Sequence, residues 1–155
     1  MKALNFEPYF AEVAPETYEL IMSANLEVHP GVTSIVLHGS RGLAGDPRPD
    51  SDIDLSLLID KLPRLDIESE LQEVLNETLD HWRGPIELDL AVIFDIQNCG
   101  LKCFEYTTWN KRVCQAEGID CFGLYKTQKE FHGLVTDAGI QVRLMYPCLK
   151  IWQRP

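Results

Sequence analysis

No stretch of this chain approaches the run of about 20 apolar residues that a membrane helix needs. The opening MKALNFEPYF has one lysine, then Glu7 and Pro8. It lacks the apolar core and small-residue cleavage site of a signal peptide, so the cytoplasm is the expected location. CxxC pairs are absent, and the cysteines are odd in number: Cys99, Cys103, Cys114, Cys121 and Cys148. That argues against a disulfide framework or a structural zinc site. Cys99 and Cys103 could share a helix face, but reduced cysteines packing as small hydrophobes is the expectation. There is no excess of positive charge: the net charge is −10, which argues against nucleic-acid binding over the whole surface. Repeats, low-complexity tracts and a second-domain boundary are also missing. The 155 residues therefore read as one domain, 1–155, large enough for a real core.

The charge is unevenly distributed. Residues 1–101 carry 6 Lys+Arg and 19 Asp+Glu, a balance of −13; residues 102–155 carry 8 and 5, a balance of +3. The basic segment is either a solvated surface or a patch that meets an anionic substrate. Near the start, Phe6, Tyr9, Phe10 and Val13 share a helix face. Pro15-Glu16 opens a second helix, with proline at its first turn and acid near its positive end. Tyr18, Ile21 and Met22 form its expected buried side. His29-Pro30-Gly31 ends the helical region, and His29 reads as a loop residue.

The chemistry concentrates between Leu37 and Leu58, LHGSRGLAGDPRPDSDIDLSLL. Thr33 to Leu37 is β-branched and apolar, a buried strand. Gly39 and Gly42 bracket Ser40 and Arg41 at its end. A strand running into such a corner turns unpaired N–H groups outward, ready for phosphate oxygens. Pro47 and Pro49 make the following segment a loop. In the strand Ile53–Ile59, Ile53, Leu55, Leu57 and Ile59 face the core, and Asp52 and Asp54 emerge together on the other side. Carboxylates held that close repel unless a cation lies between them, and hard oxygen ligands suit Mg²⁺ or Mn²⁺. A solvated strand end with incidental acids is the alternative.

An amphipathic helix follows, capped by Asp66 and carrying Ile67, Leu71, Val74, Leu75, Leu79 and Trp82 at helical spacing. Gly84-Pro85 stops it. Ile86 to Phe94 is a third strand, in which Glu87 and Asp89 alternate with apolar residues. If it lies beside the Asp52/Asp54 strand, one of these acids completes a cluster of three carboxylates. Beyond Asp95 the pattern predicts a helix over 100–117, a strand over 119–125 interrupted by Gly123, a helix over 127–137, and a strand then a turn or short helix within 140–152. His132 has no partner at useful spacing.

Gly39-Ser40, then Asp52-x-Asp54 at a strand start, then an isolated acid on a later strand, resembles the nucleotidyltransferase superfamily related to DNA polymerase β. The form hGS(x)n-SDIDL is most similar to its small standalone members, the minimal nucleotidyltransferases, and to the transfer domains of aminoglycoside-modifying enzymes. The resemblance covers residues 30–95, with 96–155 as a C-terminal extension. The further arginine common in the minimal subgroup is displaced or replaced, with Arg48 the nearest candidate. The resemblance implies an α+β fold, a mixed sheet flanked by helices. It implies that Gly39, Ser40 and Arg41 contact a nucleoside triphosphate and that Asp52, Asp54 and Asp89 hold Mg²⁺ or Mn²⁺, with Glu87 the competitor for the third place. The implied reaction transfers a nucleoside monophosphate, with ATP the expected donor, to an acceptor on a small molecule, a protein or an RNA end. The alternatives are a regulatory protein acting with a small helical partner, as in toxin–antitoxin pairs, and an inactive nucleotide-binding remnant.

Overall fold

A computed structural model describes residues 4–43, 45–59, 67–94, 123–127, 133–135 and 148–155. The expected helix over 100–117, the Asp66 cap, His132 and the cysteines other than Cys148 lie outside these residues. Cys148 is a buried thiol.

Three helices and six strands are described: α1 Pro8–Val13, α2 Pro15–Met22, β1 Val32–His38, β2 Ile53–Ile59, α3 Ile67–His81, β3 Leu88–Phe94, β4 Gly123–Lys126, β5 Gly133–Val135 and β6 Leu149–Gln153. The strands form one mixed sheet in the order β5-β4-β3-β2-β1-β6. Only β2 and β3 run parallel; the other neighbours are antiparallel. Parallel neighbours need a crossover, and α3 supplies it. The fold is the α+β, mixed-sheet arrangement that the resemblance implies.

β1, β2 and β3 are the middle of the sheet, and each is buried on both faces except at its second residue. On one face Ile35, Leu37, Leu55, Leu57, Leu90 and Val92 pack with Leu71, Val74 and Leu75 of α3 and with Phe10 and Ile21 of the first two helices. Burying a side chain of this size is worth about 1.5–3 kcal/mol, so this layer is the main source of stability. By alternation, His38, Asp54, Ser56 and Asp89 belong to the second face. Pro15 separates α1 from α2 at Ala14, whose φ of −136° is outside the helical range. Phe10 meets Phe6 and Tyr18 edge-to-face, with centroids 5.5 and 5.3 Å away. Tyr9 Oη donates to the Lys150 carbonyl, and Glu7 N donates to the Ile151 carbonyl at 2.8 Å, which ties α1 to β6.

Several expectations are corrected. Met22 is 43% exposed rather than buried, because α2 ends there and turns its last residue outward. The third strand starts at Leu88, not Ile86; the Ile86 carbonyl accepts instead from Trp82 Nε1 at 2.9 Å. The helix expected over 127–137 contains a strand at Gly133–Val135, where pairing with β4 overrides local propensity. Of the strands expected over 119–125 and within 140–152, the described residues form Gly123–Lys126 and Leu149–Gln153.

Candidate active site

One row of the sheet carries the candidate chemistry. His38 of β1 is the register partner of Asp54 of β2, and Asp54 is the register partner of Asp89 of β3. Neighbouring strands lie about 4.7–4.9 Å apart, so Asp54 and Asp89 are side by side on the same face. Asp52 immediately precedes Ile53, the first residue of β2, and is half-buried. The sequence separates Asp54 from Asp89 by an entire helix; the β2–α3–β3 crossover closes that gap. Glu87 is exposed and lies outside β3; its carbonyl accepts from Ile53 N at 3.0 Å, so its backbone helps align the two strands.

The glycine corner meets the same row. Gly39 has a φ of +72°, a conformation that L side chains rarely adopt. A Cβ built there would lie 2.2 Å from Asp54 Oδ2 and 3.2 Å from its Cγ. The Asp54 carboxylate therefore occupies the space that any other residue at position 39 would fill. Gly42 N donates to the Gly39 carbonyl at 3.0 Å and closes the turn around Ser40, which is half-buried.

Arg41 is placed differently from the phosphate contact expected of it. It is 5% exposed. Its Nε donates to the Ser51 carbonyl at 2.7 Å, and its Nη2 donates to the Arg48 and Pro49 carbonyls, each at 3.2 Å. Its Nη1 lies 3.7 Å from Glu16 Oε1. A planar fork with fixed donors suits several carbonyls at once. These bonds tie the corner to the loop that delivers Asp52. Thr17 Oγ1 donates to the Arg41 carbonyl, so α2 braces the same corner. Arg48, the candidate for the displaced arginine, is exposed, with its Nε 3.6 Å from Asp50 Oδ1.

Two residues of this neighbourhood were not anticipated. Lys126 Nζ lies 3.0 Å from Asp89 Oδ1 and 3.1 Å from Oδ2, with both side chains largely buried. No local spacing announces a partner 37 residues away. His38 is 6% exposed, and its Nε2 is 2.7 Å from Ser56 Oγ. Its place at the end of β1, beside Gly39, was the available signal.

The donor chemistry, all carboxylate oxygen, is of the kind a hard divalent cation takes, although Asp52, Asp54 and Asp89 do not form a group whose ligand atoms all lie within 4.8 Å of one another. Asp54 and Asp89 are adjacent carboxylates, Asp52 is two residues from Asp54, and an ammonium already lies against both oxygens of Asp89. The candidate donor atoms are anionic oxygens, which Mg²⁺ and Mn²⁺ prefer.

The model of the family described as polymerase beta, nucleotidyltransferase matches residues 22–102, more than half of the chain. No curated protein and no solved structure matches. The matched span runs from the end of α2 past the end of β3, so it contains Gly39, Asp52, Asp54 and Asp89. The chain belongs to the polymerase β nucleotidyltransferase family.

Proposed function

We propose that this member of the polymerase β nucleotidyltransferase family transfers a nucleoside monophosphate from a nucleoside triphosphate, ATP being the expected donor, to an acceptor hydroxyl. The observation that carries the reading is Asp54 packed against the Gly39 corner with Asp89 as its register partner on β3. Gly39 and Ser40 offer backbone N–H groups and a hydroxyl to the triphosphate, and the missing Cβ at Gly39 makes room for the Asp54 carboxylate beside them. Asp52, Asp54 and Asp89 are the ligands for Mg²⁺ or Mn²⁺. A bound cation would neutralise charge on the α-phosphate and on the departing pyrophosphate. The acceptor oxygen forms a bond to the α-phosphorus as the bridging α–β P–O bond breaks. Pyrophosphate leaves with that electron pair, and Asp89 assists by accepting the hydroxyl proton. Arg41 serves the site through the loop that positions Asp52. The acceptor is a small molecule, a protein side chain or an RNA end.

The test is pyrophosphate release from ATP and Mg²⁺, offered with alcohols, protein side chains and RNA ends in turn. Asp54→Asn keeps the shape and removes the charge. Its rate is expected to fall by about 10³-fold or more, as loss of a central electrostatic group does. Full turnover by this variant would remove Asp54 from the metal site.

A further inference from the structure

A second cluster lies on the helical face of the sheet, opposite Asp54 and Asp89. Glu77 and His81 are one turn apart on α3, and Glu27 reaches them from the segment between α2 and β1. One ligand atom from each residue lies within 4.8 Å of the other two. Three features point to a bound ion rather than to an incidental group of acids.

The first is Glu27. Its carboxylate is 8% exposed; Oε2 accepts from Asn25 Nδ2 at 3.0 Å, but Oε1 is buried with no hydrogen-bond partner. That oxygen points into the cluster, 3.6 Å from His81 Nε2. A buried carboxylate oxygen left without a bond costs about 1–3 kcal/mol or more, so an orphan here calls for a ligand. The second is His81. Its Nδ1 lies 2.7 Å from the Glu77 carbonyl, so Nδ1–H donates, and Nε2 is the nitrogen that faces Glu27. Holding one imidazole nitrogen on a backbone carbonyl is how metal-binding histidines are oriented. The third is spacing. A cation about 2.0–2.2 Å from an imidazole nitrogen and a carboxylate oxygen sets the two roughly 3.3–3.6 Å apart at near-tetrahedral angles.

We propose that Glu27, Glu77 and His81 form a site for one divalent transition-metal ion of the zinc class, separate from the carboxylates of β2 and β3. One nitrogen and two oxygens suit Zn²⁺ or Co²⁺ better than Mg²⁺, which prefers an all-oxygen shell. An open cleft of about 380 Å³ between His29–Pro30 and the Glu77–His81 turn gives an ion a path in and leaves room for a water ligand. The neighbouring backbone is already fastened: Thr78 Oγ1 donates to the Glu27 carbonyl at 2.7 Å, and Arg83 N donates to the Ala24 carbonyl at 2.7 Å. A metal there would clamp the chain entering β1 onto the helix that covers the sheet, so its role is structural.

Co²⁺ titration of the full-length chain tests this by visible absorption. Thiolate coordination would show separately as an intense near-ultraviolet charge-transfer band. The expected result is a set of nitrogen–oxygen bands saturating at one equivalent and persisting in Asp54→Asn. In His81→Gln and in Glu77→Gln, affinity should fall by at least about tenfold. Zn²⁺ should raise the melting temperature of the wild type and leave that of His81→Gln unmoved. Glu77 is half-exposed, so Glu77→Gln carries the test if the histidine variant does not fold. Absence of Co²⁺ binding, a thiolate band alone, or unchanged affinity in both variants overturns the proposal.

Discussion

Gly39 shows how one missing methyl group can hold a site together. The left-handed φ alone would cost a residue with a side chain about 1–2 kcal/mol. The larger consequence is steric, because a Cβ at 2.2 Å from Asp54 Oδ2 cannot coexist with that carboxylate where it stands. Gly39→Ala must therefore displace Asp54 or open the corner. Pyrophosphate release is expected to fall by about 10²-fold, the scale of an ångström-size misplacement of a reacting group. Stability by urea unfolding should fall only by the smaller backbone cost. Arg41 is the converse case, a charged residue whose work is internal. Its pair with Glu16 contributes little, since Glu16 is 80% exposed and water screens it. The three carbonyl bonds matter more, because hydrogen bonds to charged groups are worth about 1.5–3 kcal/mol. Lysine cannot reproduce the fork. Arg41→Lys should lose about 1–3 kcal/mol in urea unfolding, with kcat falling more than KM for the triphosphate rises. An arginine acting directly on phosphate would give the opposite split, a raised KM and unchanged stability.

At the scale of elements, legibility followed periodicity. β1, β2 and α3 carry strong apolar patterns, and each forms where the residues place it. The Asp52/Asp54 pair and the Gly39 corner were readable because each is local, a spacing of two residues or a glycine after a strand. What joins them is not local. The Asp54–Asp89 register depends on the α3 crossover, and the Asp89–Lys126 pair joins strands β3 and β4 across 37 residues. Glu77 and His81 lie one turn apart on α3, but the third member of their cluster, Glu27, comes from another element. Gly123 is the sharpest instance. Read along the chain, it interrupts a strand. In the sheet it is the register partner of Phe94, and a Cβ there would lie 2.5 Å from the Phe94 ring. The glycine makes room for the aromatic ring to lie across β4. Gly123→Val, favourable by strand propensity alone, should instead destabilise by about 1–3 kcal/mol through overpacking. Thermal unfolding measures this directly; a raised melting temperature would mean that propensity outweighs the ring contact.

At the scale of the molecule, the sheet order places the end of the described chain beside its first strand. β6 pairs with β1, whose other neighbour is β2, so the strand that leads into Gly39 is flanked on both sides. Leu149, Ile151 and Trp152 of β6 are at most 3% exposed and belong to the same core as Phe10, Leu37 and Leu55. The Ile151 carbonyl also anchors α1 through Glu7 N, while Arg154 N donates to the Thr33 carbonyl at 2.8 Å. A chain stopped at Pro147 would keep Gly39, Asp52, Asp54, Asp89 and Lys126. It would nevertheless expose one edge of β1 and remove four buried side chains, Cys148, Leu149, Ile151 and Trp152, the last three each worth about 1.5–3 kcal/mol of burial. Against a total stability of about 5–15 kcal/mol, that loss is decisive. The truncated chain should show no cooperative thermal transition and no pyrophosphate release, although its motif residues are intact. A folded, active chain ending at Pro147 would mean that the motif-bearing core supports β1 without β6.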